Sequence, residues 1–66
     1  MLRFEDVSTK DYPKAYNVYR GEWGLPVGII RLHWTTKKLL FETLFNWLLP
    51  DSQEMTEIAK FMVEHE

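Results

Sequence analysis

The sequence predicts a small α+β domain, an antiparallel sheet of two or three strands packed with two C-terminal helices. Three observations point there. Two stretches rich in Val, Ile and Tyr flank "GEWG" at 21–24, the pattern of a hairpin across about residues 15–33. "PDSQEMTEIAKFMVEHE" joins a capping residue to apolar positions at helical spacing, giving a helix over about 51–65. Between them "LLFETLFNWLL", residues 39–49, is apolar along nearly its whole length and is read as another helix, from about 36 to 49.

Leu2 to Val7 alternates as a strand, with Leu2 and Phe4 on one face and Arg3 and Glu5 on the other. "STKDYPK" follows as a loop, because Ser and Asp favour turns and Pro13 drives Tyr12 out of helical geometry. In the hairpin, period-two alternation groups Tyr16 with Val18 and, on the second strand, Ile30 with Leu32 and Trp34. Asn17, Tyr19, Ile29, Arg31 and His33 fall on the opposite face. Pro26 sits where its missing N–H does least harm, and Gly28 marks a bulge or a close approach.

The middle segment fits a strand poorly. One strand face would hold Leu39, Phe41, Thr43, Phe45, Trp47 and Leu49, and the other would mix Leu40, Leu44 and Leu48 with Glu42 and Asn46, so neither is polar. At about 100° per residue, Glu42, Thr43 and Asn46 instead gather in one narrow sector. Helix is therefore preferred over strand, capped by Thr35 or Thr36 and stopped by Pro50. In the last helix Asp51 is the N-cap and Glu54, three residues on, completes a capping-box pattern. Met55, Ile58, Ala59 and Met62, with Phe61 beside them, form its buried stripe, and Gln53, Glu54, Glu57, Lys60 and Glu64 its wet side.

Sixty-six residues make a single domain, 1–66, which on folding buries only about 60% of the unfolded surface. The chain has no cysteine, which removes disulfides and thiolate metal sites. Its two histidines, His33 and His65, are far apart, which argues against structural zinc. No metal or other cofactor is expected, so packing or association must stabilise the fold. The four Phe, three Trp and three Tyr supply large buried areas for either. The N-terminal segment lacks the apolar core of a signal peptide and residues 39–49 are too short to span a bilayer. A soluble cytoplasmic protein without a membrane partner is the expectation.

Charge is divided unevenly. Residues 1–38 carry seven Lys or Arg against four acids, a balance of +3, and residues 39–66 carry Lys60 alone against six acids, a balance of −5. Little of this points to catalysis. Ser8 and Ser52 lie outside any nucleophile-elbow pattern, and Glu54 and Glu57 sit on a solvent face where nothing pushes their pKa values apart. The chain is therefore expected to be non-enzymatic, with no catalytic residues.

Two binding readings remain. As a helix, the middle segment shows Phe41, Leu44, Phe45, Trp47, Leu48 and Leu49 over more than half its circumference, so two neighbours must cover it. Those neighbours are the hairpin and the last helix, or else another chain. The leading expectation is a protein–protein interaction module, a homodimer or an adaptor or inhibitor of a larger protein, anchored by Trp23, Phe45, Trp47 and Leu48. The second is nucleic-acid or anion binding through Tyr19, Arg31, His33, Lys37 and Lys38. Lysines in the first turn of a helix oppose its dipole, and a bound phosphate or carboxylate offsets that. Weighing against it, the cations can simply answer the acidic last helix, and the pI is about 5.6.

Overall fold

Alternation of apolar and polar residues gives this chain four strands, which pair in simple succession. The computed structural model describes residues 1–66 and runs β1 (Leu2–Asp6), β2 (Ala15–Arg20), β3 (Pro26–Leu32), β4 (Leu39–Thr43) and α1 (Ser52–His65). All neighbours are antiparallel in the order β1-β2-β3-β4. Phe4 pairs with Val18, Tyr16 with Ile30 and Ile30 with Phe41. That register carries one apolar row across the sheet from Leu2 and Phe4 to Leu39 and Phe41, and α1 lies on it. The fully buried side chains are Val18, Val27 and Ile30 from the sheet and Ile58 from the helix.

The helix begins as the sequence predicts. The Asp51 carboxylate accepts from Glu54 N–H at 2.8 Å and the Glu54 carboxylate accepts from Asp51 N–H at 3.0 Å, closing the capping box. Its buried stripe is narrower than expected: Ile58, Phe61 and Met62 pack on the core, while Met55 and Ala59 are exposed. Phe61 stacks on Phe4 with ring centroids 4.1 Å apart and meets Tyr16 edge-on at 4.9 Å. This helix is not long and apolar enough to cross a membrane.

The expected two or three strands with two C-terminal helices is corrected to four strands with one helix. The segment read as helix 36–49 is β4 followed by an irregular connection. Leu39 and Phe41 face inward opposite Leu32 and Ile30, whereas Leu40 and Glu42 face out opposite Arg31 and Ile29. β4 thereby caps the apolar row that a two-strand hairpin would have left open. Gly28 makes this fit: the Phe41 ring lies where a Cβ at 28 would stand. The same region holds an irregularity, since the β2–β3 register shifts between Val18 and Tyr19 and Val27 is the extra, buried residue.

Thr35 and Thr36, expected as helix caps, belong instead to the β3–β4 loop. Their N–H groups donate to His33 Nδ1 at 3.2 and 3.3 Å. His33 N–H donates to the Lys38 carbonyl and Lys37 N–H to the His33 carbonyl, each at 2.8 Å. Closing so short a loop puts Lys37 at φ 61°, in the left-handed region. The lysines therefore lie at no helix start, and the dipole argument for an anion there lapses.

Candidate functional site

The antiparallel order gives the domain two ends, and each collects side chains that are distant in sequence. At one end the β2–β3 turn meets the start of β1 and the β4–α1 connection. Gly21, at φ 57°, takes the left-handed turn position and its N–H donates to the Met1 carbonyl at 2.9 Å. Arg3 donates to the carbonyls of Gly21 and Trp23, each at 3.3 Å. Holding the turn by its backbone leaves the Trp23 and Leu25 side chains in solvent.

The β4–α1 connection is tied to the same end. Leu44 N–H donates to the Val27 carbonyl at 3.4 Å, and Arg20 Nη2 donates to the Leu49 carbonyl at 3.4 Å. A turn closed by Leu48 N–H on the Phe45 carbonyl, at 3.2 Å, sends alternate side chains in and out. Leu48, 8% exposed, joins the core, and Phe45 is half-buried against it. Trp47 is 71% exposed with its ring 5.4 Å from that of Phe45, and Leu44 and Leu49 are exposed beside it in sequence. Trp23, Leu25, Leu44, Trp47 and Leu49 therefore mark one end of the sheet as apolar. Of the four anchors expected from sequence, Trp23 and Trp47 stand on this surface, Phe45 supports it from below, and Leu48 is core.

The end is braced electrostatically. Arg20 on β2 and Glu54 on α1 form two hydrogen bonds of 2.8 Å. The guanidinium holds the Glu54 carboxyl below its ordinary value, and the Asp51 N–H adds to this against the opposing effect of burial. Arg20 is raised in turn, chiefly by its hydrogen bonds to Glu54.

At the opposite end a groove of about 340 Å³ opens between the β1–β2 and β3–β4 loops. Tyr12, Lys14, Arg31, His33, Trp34 and Lys37 line it over a floor that includes Leu32 and Leu40. Three of the five residues expected to contact nucleic acid, Arg31, His33 and Lys37, meet there. Lys38 is exposed in the adjoining loop and is no part of the lining. Tyr19 lies elsewhere, with Arg3 4.3 Å above its ring and its hydroxyl donating to Glu5 at 3.1 Å and accepting from Asn17 Nδ2 at 3.3 Å. Within the groove Arg31 is paired with Glu42 at 2.8 Å, which raises its pKa. Because His33 Nδ1 accepts two N–H groups, its neutral form carries the proton on Nε2.

Sequence reasoning counts Leu44 and Leu49 in the apolar stripe without naming them as anchors; it misses Leu25 at the first end and Tyr12 and Trp34 at the second. A signal existed for Trp34, whose alternation with Ile30 and Leu32 predicts burial only if the strand continues; the strand ends at Leu32, and Trp34 is 80% exposed. No side-chain group of three or more His, Asp or Glu is arranged to hold a metal ion. Set against family models, curated proteins and solved structures, the chain matches none.

Proposed function

We propose that this chain is a cytoplasmic, non-enzymatic interaction module that docks a larger protein through its apolar end. The observation that carries the reading is the exposure of Trp23 and Trp47 together with Leu25, Leu44 and Leu49 on one end of the sheet. Apolar patches of this kind mark interaction sites on small soluble domains, and tryptophans contribute disproportionately to interface energies. The absence of cysteine suits a reducing compartment. The Arg20 to Glu54 brace and the bonds from Arg3 fix the backbone that displays these side chains, so little ordering cost falls on binding.

The test uses the intact chain as bait in lysate of its source cells, beside Trp23→Lys/Trp47→Lys. A partner retained by the native chain and lost by a variant with unchanged circular dichroism supports the reading. For the purified pair, Trp47→Ala should weaken affinity by about 2 kcal/mol or more, roughly thirtyfold. Equal capture by a folded variant rejects the apolar end.

A second reading, nucleic-acid binding, rests on the groove, which sets the exposed Tyr12 and Trp34 rings beside Lys14 and Lys37. Aromatic stacking with cations alongside is how single strands are gripped without sequence preference. Titration of a single-stranded oligonucleotide should quench Trp34 fluorescence, weaken steeply with salt and vanish in Lys37→Glu/Lys38→Glu. No quenching at low salt removes this reading.

A further inference from the structure

We propose that two copies of this chain pair through β1, antiparallel about Phe4, to make a two-fold dimer with one continuous sheet. β1 is an edge strand. The Met1 carbonyl accepts from Gly21 N–H at 2.9 Å and Val7 N–H donates to the Ala15 carbonyl at 2.8 Å. Hydrogen bonding alternates along an antiparallel pair, so odd positions of β1 turn their backbone to β2. Leu2, Phe4 and Asp6 turn theirs to the free edge.

Pairing Phe4 with the partner's Phe4 uses those outward groups and sets Leu2 beside the partner's Asp6. On the open face the same register is self-complementary in charge. Arg3 stands opposite the partner's Glu5, and by symmetry Glu5 stands opposite the partner's Arg3. Met1, 98% exposed, gains the partner's Val7. Tyr19 already holds both charged side chains over this face, under the Arg3 guanidinium and donating to Glu5.

The helix side of the edge is apolar beside the axis. A cleft of about 260 Å³ runs there, with Phe4 and Phe61 as its apolar lining and Glu57, Lys60 and Glu64 as its charged one. Since Phe61 stacks on Phe4, this row lies beside the symmetry axis. That charged row reads the same in both directions about Lys60, so the two-fold adds no charge match on this side, and the complementarity rests on Arg3 and Glu5. The other edge lacks such a match. Leu44 N–H bonds to Val27 and the Lys38 carbonyl to His33, so the backbone groups of Phe41 turn to the free edge of β4, and pairing about it would set Leu40 against the partner's Glu42. Self-pairing through β1 leaves the Trp23 and Trp47 end uncovered, and the dimer displays two such ends pointing in opposite directions.

Sedimentation of the full chain at tens to hundreds of micromolar should show dimer in equilibrium with monomer, a range suited to a small interface. Arg3→Glu and Glu5→Arg should each weaken it by about tenfold or more. The double variant Arg3→Glu/Glu5→Arg should restore it, and an equimolar mixture of the two single variants should form the mixed dimer. Trp47→Ala should leave it unchanged. For the native chain, hydrogen exchange should slow at the Leu2, Phe4 and Asp6 amides as concentration rises, a readout that requires no substitution. A monomer at every concentration overturns the proposal. So does a dimer indifferent to both charge reversals, or one abolished by Trp47→Ala or by Leu40→Lys.

Discussion

Arg20 and Glu54 are 34 residues apart and meet through two 2.8 Å hydrogen bonds that join the end of β2 to the first turn of α1. The same carboxylate closes the capping box on Asp51, and the same guanidinium reaches the Leu49 carbonyl. One ion pair thus ties the sheet, the helix start and the connection that carries Trp47. With the Glu54 side chain only 12% accessible, water replaces little of what is lost on its removal. Glu54→Ala should cost about 1 to 3 kcal/mol, measured by urea denaturation.

The pH dependence follows from the direction of the Glu54 shift. Its folded-state pKa lies below the ordinary value of 4.5, chiefly because Arg20 bonds the ionised form. A depressed carboxyl pKa contributes stability that is fully present above the unfolded value and is lost as pH falls through the folded one. Urea midpoints should therefore fall on acidification below about pH 4.5, and more steeply in the native chain than in Glu54→Gln. Equal slopes in the two chains would show that other carboxyls, Asp6 among them, dominate acid sensitivity.

Gly28 admits a sharper test of the sheet. A Cβ there would overlap the Phe41 ring and crowd the Glu42 carbonyl, and that carbonyl is backbone, fixed in the pairing of β3 with β4. Gly28→Ala should destabilise by about 1 to 3 kcal/mol, the usual range for overpacking. Thermal melting that shows no loss would mean that Phe41 swings away at little cost.

Much of this architecture is legible in the residues, and the error is localised. Tyr16 and Val18 do face the core with Ile30, and Asp51 with Glu54 does start the helix, because alternation and capping are local signals. Residues 39–49 defeat the periodicity because they join two segments with different patterns. Leu39 to Thr43 alternates correctly for a strand, but Leu44 to Leu49 is an apolar loop whose in-and-out order comes from a turn at Asn46 and Trp47. Joined together, they cancel the period of two. The apolar end is half legible: Trp23 and Trp47 stand out in the sequence, but only the paired register and the Arg20 to Leu49 contact place them at the same end. The groove is less so, since Tyr12 and Trp34 meet only when two loops converge.

Leu48 and Trp47 are neighbours with opposite fates, and this separates core from surface experimentally. Leu48 packs in the cluster with Leu39, Val27 and Ile58, so Leu48→Ala should cost about 2 to 5 kcal/mol. Trp47→Ala should change stability by no more than about 0.5 kcal/mol, as for an exposed site away from special geometry. Paired urea curves decide it. A comparable loss in both would return Trp47 to the core and remove the central anchor of the proposed interface.

Lys37 holds a left-handed conformation, φ 61°, that the four-residue reversal between His33 and Lys38 imposes. An L side chain there costs roughly 1 to 2 kcal/mol relative to helical geometry, and glycine escapes the clash but loses more backbone entropy on folding. The two effects oppose each other, and the steric one is larger. Lys37→Gly should therefore raise stability by up to about 1 kcal/mol, seen as a higher melting temperature. The same change removes a cation from the groove without altering the apolar end. If nucleic acid is the ligand, stability and affinity should move in opposite directions in this one variant. A variant that gains stability and keeps oligonucleotide binding intact would show that Lys37 makes no phosphate contact.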